Sequence, residues 1–411
     1  MNSSRLNQAG RIPRAAKGAG VALLVAELCL TVQFLAVQFL AVLSLTVLSL
    51  TVLWPGSVLA YDNYGLGPLT IRNQFPPSLK YLSYHPETTQ TIGEGLFQFS
   101  YQFNRTNTFI NSQSPRLKRN KQSGIIIDQD VVEAGLDASN FPANGYGMYL
   151  DMEADLNMFR FTYGLGERSE VGMDISWLNF YGGWMDERIT LVEKAFGGLN
   201  KDRNHSDINR FDYYVYRDGE QITATSEAPH NLYRDPVFRW KWNITEGYSM
   251  LPAWSIKMAV KPSLNHNPDP VKKLALSGGS DWGWYSMFSK SVGDVVGHLQ
   301  FGHTYLSPEP NTYASKIRHK LFGMEFRLDA QNSFIVQSVT QSSVFELRKS
   351  MQITDENYGY NFIISRPTDV SIWGIIHRSE TFRFETGFIE DYYQQRNEAD
   401  ITFYMEMGWI W

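Results

Sequence analysis

Residues 401–411, at the end of the chain, alternate strictly between two faces, and this pattern constrains the fold more than any other feature. One face carries the apolar residues Ile401, Phe403, Met405, Met407, Trp409 and Trp411, and the other face is more polar. Side chains that alternate with a period of two belong to a β-strand. Such an apolar, aromatic face indicates a strand with lipid on one side and a lumen on the other. An edge strand of a soluble sheet would also alternate and stays open as an alternative.

The chain ends on an aromatic residue that belongs to the apolar face of this strand. A terminal aromatic such as Trp411, with Phe403 and Trp409 at alternate positions before it, resembles the closing-strand signal of bacterial outer-membrane β-barrels. The resemblance implies a location in the bacterial outer membrane. It also implies contact with outer-membrane lipid and lipopolysaccharide, and with the barrel-assembly machinery.

The same period recurs upstream, so that twelve strands are predicted. They lie near 97–103, 150–163, 171–177, 238–244, 254–260, 280–290, 295–306, 316–328, 333–345, 369–377, 382–388 and 401–411. Within the second segment the apolar residues change face after Met158, which predicts a β-bulge. We therefore expect an all-β membrane protein, a single antiparallel transmembrane barrel of about 12 strands, with 10 or 14 as alternatives. Residues 357–365 are counted as loop in this prediction.

Connections of two lengths separate the predicted strands. Short ones at 164–169, 245–251, 291–294, 329–332 and 378–381 alternate with long ones at 105–145, 181–234, 262–279 and 391–399. Short periplasmic turns and long extracellular loops are typical of bacterial barrels. The loop at 181–234 contains the one predicted helix, because Met185, Ile189 and Val192 share a helical face.

The N-terminal residues 1–60 predict an export signal. Basic residues such as Arg5 and Arg11 precede a long apolar stretch, and Ala60 ends a small-residue cleavage site. The apolar stretch is longer than in ordinary signal peptides because two pentapeptides in it are each repeated in tandem. We expect a signal peptide at 1–60, an N-terminal periplasmic or lumen segment at 61–94 and the barrel at 95–411. An uncleaved transmembrane anchor is the alternative for the first part.

Composition argues against several other classes of protein. Aromatic residues make up 14% of the chain, charged residues make up 19%, and the formal net charge is -5. A mildly acidic exported protein is not expected to bind nucleic acid. The single cysteine, Cys29, lies in the apolar N-terminal stretch, so neither a disulfide framework nor a cysteine metal site is expected.

Four short motifs occur in order along the chain. They lie at 67–76, 163–168, 182–186 and 385–391, with the sequences GPLTIRNQFP, YGLGER, GGWMD and ETGFIED. Together they resemble domain-of-unknown-function family 3187, whose members are predicted outer-membrane proteins of Gram-negative bacteria. The resemblance covers about residues 65–411 and implies a membrane barrel. It implies no activity, because the family has no established one.

The sequence contains no recognisable enzyme motif. Phosphate-binding loops, nucleophile elbows and metal-spaced histidines are missing, so no catalytic residue, cofactor or metal is expected. His298 and His303 are five positions apart on one predicted strand and therefore point to opposite faces. The enzymatic alternative is an outer-membrane phospholipase, in which His303 and a serine such as Ser286 would act at the lipid edge.

Charged residues alternate with the apolar ones on four predicted strands. If the apolar faces contact lipid, these charged side chains point into the lumen: Asp151, Glu153, Asp155, Asp174, Arg239, Lys241, Lys257 and Lys261. Acid on one wall and base on another would produce a transverse field that orients and filters polar solutes. Charges that pair and close a small barrel are the alternative.

Residues 61–94 show no strand period, so they are not expected to belong to the wall. Within them Arg72, Asn73 and Gln74 lie between Pro68 and Pro76, and both prolines favour extended backbone. We expect this segment to plug or narrow the periplasmic mouth, with Arg72 meeting the acidic wall. A free periplasmic tail is the alternative.

These patterns favour an outer-membrane barrel that acts as a pore or binding barrel for a small solute, which the sequence does not identify. The alternatives that stay open are a closed structural barrel, a lipid-modifying enzyme and a hydrophobic-solute transporter.

Overall fold

The computed structural model describes residues 64–111, 146–183, 185–187, 189, 209–217, 220–248, 250–307, 314–345, 367–391 and 399–411. All of them except residue 189 belong to one compact unit, formed by Val58–Glu187 and His205–Trp411. The predictions for residues 1–60 and 357–365 lie outside the described residues.

Fifteen strands form a single antiparallel sheet among the described residues. They are β1 Phe97–Asn111, β2 Tyr146–Gly166, β3 Ser169–Tyr181, β4 Asp212–Arg217, β5 Glu220–Thr225, β6 Leu232–Tyr233, β7 Val237–Thr245, β8 Ala253–Lys261, β9 Asp281–Val292, β10 Val295–Tyr305, β11 Lys316–Arg327, β12 Asn332–Gln341, β13 Thr368–Arg378, β14 Phe382–Asp391 and β15 Ile401–Ile410. Twelve of them, β1 to β3 and β7 to β15, pair in chain order, and β15 pairs with β1 to close a barrel. The prediction of an antiparallel barrel of about twelve strands is confirmed.

The remaining strands extend this wall at one place. The hairpin of β4 and β5 pairs with the first residues of β2, and β6 pairs with residues near the end of β3. Residues 185–187 and 189 are helical, and the rest of the predicted loop helix lies outside the described residues. In the described part of the chain, no helix is long and apolar enough to cross a membrane.

The two ends of the barrel differ in the length of their connections. The start of β1, the end of β15 and the short turns, such as the one between β2 and β3, lie at one end, which we call the short-turn end. The end of β1, the start of β2 and the other strand ends that the longer connections join lie at the other end, which we call the long-loop end. An even number of strands places the start and the end of the wall on the same side.

Strand β2 keeps one register against all fifteen residues of β1, so the β-bulge predicted after Met158 is wrong. Its even-numbered residues face inwards throughout. They are apolar in the half that contains Leu156 and polar in the half that contains Arg160. The inner face therefore changes from apolar to polar along the strand, while the alternation of side chains between the two faces continues unbroken.

The closing strand has the two faces that its sequence predicts. Its odd-numbered residues point outwards, and the side chain of Phe403 is 52% exposed. Trp411 and Phe97 exchange two backbone hydrogen bonds of 2.8 and 3.0 Å, and their ring centroids are 5.0 Å apart. Trp409 stacks beside Phe99, with 6.2 Å between ring centroids. These last residues therefore extend the seam of the barrel, which ten residue pairs of β1 and β15 form.

Deletion of Trp411 should lower the folding equilibrium constant about thirtyfold, and with it the urea concentration at which half of the protein is folded, because two backbone hydrogen bonds, each contributing about 1 kcal/mol, are lost at the seam. The measurement is the heat-modifiable band on a gel, which only folded barrels give. Tyr248→Ala, at a side chain 82% exposed near the turn between β7 and β8, is the control. Equal folded fractions for the two variants at each urea concentration would show that the closing strand depends little on its terminus.

Candidate functional site

Residues 64–94, which we call the internal segment, run through the lumen and return. Near the short-turn end, the backbone N–H of Leu66 donates to Glu325 on β11. Near the long-loop end, Asn73 donates to Thr368 at the start of β13, over 3.0 Å. A short helix, α1 Pro76–Leu79, follows there. The segment then returns to the short-turn end, where Asn243 on β7 donates to the carbonyl of Thr89, over 2.9 Å.

The backbone of the internal segment is bonded mainly by side chains of the wall. Lys241 donates to the carbonyls of Thr88 and Gln90, over 3.4 and 2.8 Å. Gln337 on β12 accepts from the N–H of Leu69 and donates to its carbonyl. An extended chain without a partner strand needs such bonds, because unpaired backbone groups are costly when buried. This need explains why so many inward side chains are polar.

Two glycines let the start of the segment approach the wall closely. Gly65 and Gly67 have φ angles of +65° and +98°, which residues other than glycine rarely adopt. A Cβ atom on Gly65 would lie 2.2 Å from Oε2 of Glu325. The Glu325 carboxylate accepts from the N–H groups of Leu66 and Gly67 at 2.9–3.2 Å. We call this arrangement the glycine latch.

A second contact holds Thr70 between two carboxylates of neighbouring strands. The Thr70 hydroxyl lies within hydrogen-bond distance of Glu385 on β14 and of Glu406 on β15. Arg383 donates to Glu385 over 2.8 Å and to the carbonyl of Leu66 over 2.7 Å. Both carboxylates are buried, so the segment and the wall supply each other's partners.

Glu87 lies at the centre of four buried cations. Its Oε1 atom is 2.5 Å from Nη2 of Arg160, 3.1 Å from Nζ of Lys257 and 3.3 Å from Nη1 of Arg239. Its Oε2 atom is 3.8 Å from Nζ of Lys241. We call these four side chains the cation cluster. Sequence reasoning missed Glu87, because a lone acidic residue in a segment without a period gives no signal.

Acidic side chains of the wall also hold the cation cluster. Asp174 on β3 is 2.9 Å from Nε of Arg239 and 3.5 Å from Nε of Arg160. Glu170 is 2.7 Å from Nζ of Lys241. Three of the four cations therefore keep a wall carboxylate nearby whether or not Glu87 is present.

A cavity of about 60 Å³ lies beside the cluster, towards the short-turn end. Glu87, Arg160, Arg239 and Lys241 line one part of it, and Gln98 and Ile410 mark its position near the seam. About one probe sphere of 10–15 Å³ is enough for a water molecule, so the cavity has room for several. A small solute could therefore approach the cluster from this end.

The structure places five of the predicted lumen charges on the inner face. Arg239, Lys241, Lys257 and Lys261 point inwards, as does Asp174. Lys261 contacts Asp281 at 3.2 Å, away from Glu87. The basic side of the predicted field exists, but much of its charge is matched by neighbouring carboxylates.

The predicted acidic wall of Asp151, Glu153 and Asp155 is wrong. These residues lie on the outward face of β2, where Asp155 accepts hydrogen bonds of 2.7 and 2.6 Å from Arg105. Glu153 accepts from the N–H of Met185. The apolar residues opposite them face the lumen and pack against the internal segment. In this half of β2 an apolar face therefore does not mean a lipid face.

The three polar residues chosen as plug candidates are buried in the lumen but bind other partners than expected. Arg72 donates to the carbonyl of Leu79 at 3.3 Å and makes no ion pair with the predicted acidic wall. Asn73 binds Thr368, and Gln74 donates to the carbonyl of Arg72 at 2.9 Å. The segment extends well beyond the mouth that the sequence suggested it would plug.

Ser286 and His303, the pair of the enzymatic alternative, lie on the same outer face of the neighbouring strands β9 and β10, but no hydrogen bond joins them among the described residues. His298 faces inwards, between Ser289 at 2.9 Å and Glu325 at 3.1 Å, and supports the glycine latch. His303 packs on Trp284 on the outer side, with 5.3 Å between ring centroids. Ser286 instead accepts a hydrogen bond from Trp254. Within the described residues, no three potential metal-ligating side chains cluster together.

Comparison with known proteins adds little beyond the fold. No protein-family model and no curated protein match the chain, so the resemblance to family 3187 stays a prediction. Among solved structures it is similar to the CymD monoaromatic hydrocarbon channel, with a TM-score of 0.30, 8% identity and coverage of 85% of this chain and 98% of that one. A TodX deltaS2S3 mutant monoaromatic hydrocarbon channel is also similar, with a TM-score of 0.32, 7% identity and coverage of 82% of this chain and 91% of that one. The translocator domain of the autotransporter NalP from Neisseria meningitidis is similar with a TM-score of 0.31, 8% identity and coverage of 78% of this chain and 88% of that one.

A cysteine at position 73 should be protected from a membrane-impermeant thiol reagent. Asn73 is only 1% exposed inside the barrel, so Asn73→Cys, made with Cys29→Ser, should react at least about tenfold more slowly than an exposed site. Leu264→Cys, at a position 73% exposed after β8, provides that exposed site. Labelling of both variants at the same rate would contradict the placement of the segment.

Proposed function

We propose that this protein is an outer-membrane channel for a small solute and that its internal segment closes it in the present conformation. The observation that carries the proposal is a lumen lined with charged and polar side chains, filled by a segment that precedes the first wall strand.

The outer surface supports a location in a membrane. Large apolar side chains on four strands around the ring are between 38% and 48% exposed: Trp240, Trp242, Trp282, Phe301 and Phe388. Soluble proteins rarely expose so many large apolar side chains on one wall. Lipid around the barrel would cover them, and the short-turn end would then face the periplasm.

The lumen supports passage rather than permanent closure. Buried ion pairs contribute little to stability because desolvation offsets their attraction, and apolar residues often replace them without loss. A barrel that never opens therefore gains little from the cation cluster around Glu87. A barrel that opens has a use for it, because the same side chains are hydrated and attract a polar solute once the segment moves.

A second candidate function is the passage of an apolar solute. The inner face near the long-loop end is apolar, with Met152 and Leu156 on β2 and Phe180 on β3 packed around Phe75 and Leu79 of the internal segment. Movement of the segment would expose this surface. Passage of a polar solute is better supported, because charged side chains contact the internal segment near both its first and its last residues.

The origin and partners of the protein follow from the same proposal. An export signal at 1–60, a Gram-negative source, membership of family 3187 and contacts with lipopolysaccharide and the assembly machinery all fit an outer-membrane channel. Each of them stays a proposal.

Breaking the glycine latch should open the channel more often. In Gly65→Ala the new Cβ atom would displace the Glu325 carboxylate, which then loses its hydrogen bonds to the segment. Hydrogen bonds to charged groups contribute about 1.5–3 kcal/mol, so the open probability should rise at least about tenfold. The measurement is single-channel current in a planar lipid bilayer.

Gly95→Ala is the matched control for this variant. Gly95 has a similar φ of +73°, but a Cβ atom there would meet nothing within 4 Å. Both variants therefore have the same backbone strain, and only Gly65→Ala disturbs the latch. Absence of current from the native chain and from both variants, when all are folded, would contradict the channel.

A further inference from the structure

Two side chains of the internal segment converge on one lysine of the wall. Nζ of Lys257 lies 3.1 Å from the carboxylate of Glu87 and 4.7 Å from the ring centroid of Tyr84. Among the described residues, Glu87 supplies the only carboxylate in an ion pair with Lys257. The segment thus presents an aromatic ring and a carboxylate to the same cation.

The wall offers a matching surface for the ring. Tyr84 stacks on Tyr285 of β9, with 4.4 Å between centroids and 28° between planes. The hydroxyl of Tyr285 is fixed by Thr304 at 2.6 Å. Ala259 and Met287 complete an apolar group around the two rings. A position stacked on Tyr285 and next to the ammonium group of Lys257 favours an aromatic ring and disfavours a charged or strongly polar group.

The wall also offers a matching surface for the carboxylate. Arg160, Arg239 and Lys241 each also contact a carboxylate of the wall, Asp174 or Glu170, so each keeps a charge partner when Glu87 moves away. Lys257 instead has its charge partner and a backbone acceptor, His85, on the internal segment. When the segment moves, Lys257 needs a new anion.

The cavity at the short-turn end reaches this place. It is lined by Glu87 together with three members of the cation cluster, so a small solute would meet the carboxylate position first. The ring position next to Lys257 does not line this cavity and becomes free only when Tyr84 leaves.

We propose that the solute site of this channel binds a small aromatic carboxylate, and that Tyr84 and Glu87 occupy the site in the closed state. The inference rests on the proposed channel function and adds the class of solute. The ring of the solute would stack on Tyr285, and its carboxylate would bind Lys257 and the rest of the cation cluster. Solute and internal segment then compete for one site, so binding favours opening.

The test uses benzoate as the probe and isothermal titration calorimetry on the purified full chain in detergent. Glu87→Gln removes the competing charge but keeps the size of the side chain. Its apparent Kd for benzoate should be at least about tenfold lower than that of the native chain, because the apparent affinity rises when a larger fraction of the sites is free. Glu246→Gln, at an exposed carboxylate near the β7–β8 turn, should leave the Kd unchanged.

Related probes separate the two parts of the site. Benzamide has the ring without the charge, and acetate has the charge without the ring. Cyclohexanecarboxylate has the charge on a non-aromatic ring. Each should bind Glu87→Gln at least about tenfold more weakly than benzoate does. Lys257→Met added to Glu87→Gln should weaken benzoate binding by a similar factor, because it removes the contact to both groups.

Tyr84→Ala provides an independent variant that leaves every charge in place. It vacates the ring position and should also lower the Kd for benzoate, with the folded state checked by heat modifiability. If folded Glu87→Gln and Tyr84→Ala both fail to bind benzoate, the inference is overturned. Equal binding of acetate and benzoate would overturn the aromatic part of it.

The same measurements distinguish this inference from the channel itself, because calorimetry does not require current. Conducting Gly65→Ala protein with no benzoate binding in Glu87→Gln would overturn the solute class and leave the channel. Benzoate binding in folded protein that never conducts would overturn the channel function on which the inference rests.

Discussion

Charge that is taken out of water must be paired, and this constraint connects the wall of the barrel to the segment inside it. Arg160, Arg239, Lys241 and Lys257 are all buried, and the single carboxylate of Glu87 contacts all four. Removing one partner of a buried ion pair typically costs about 3–5 kcal/mol, because it leaves an uncompensated charge. The buried charges of the wall and of the internal segment are therefore compensated while the two stay in contact, or when water or a solute takes the place of the segment.

The backbone imposes a second constraint with the same consequence. A wall strand has neighbours on both sides, whereas the internal segment has no strand partner for its N–H and C=O groups. Inward side chains such as Gln337 and Asn243 satisfy them instead. Such side chains remain compatible with water when the segment is absent. The polar contacts that close the lumen are thus also the ones that would allow it to open and fill with water.

Much of the wall could be predicted because its signal is local. The period of two fixes strands and faces wherever one side meets lipid, which explains why β15 and the inward lysines Lys241 and Lys257 were found. The rule failed on β2, where Leu156 faces a lumen filled with apolar side chains and Asp155 faces outwards. Glu87 had no local signal at all, because its role comes from four side chains on three distant strands. A sequence pattern reports which face is apolar, but it does not report what covers that face.

The most direct test of the account is a cross-link between the segment and the wall. Asn73 and Thr368 touch near the long-loop end, with 3.0 Å between Nδ2 and Oγ1. Cysteines at both positions, with Cys29→Ser, should form an intramolecular cross-link on mild oxidation, detectable by mass spectrometry of the linked peptides. Oxidation should also abolish the channel openings of the Gly65→Ala background, and a reductant should restore them. A folded protein whose two cysteines do not cross-link, or whose oxidised form conducts like the reduced one, would contradict the claim that residues 64–94 fill and close the lumen.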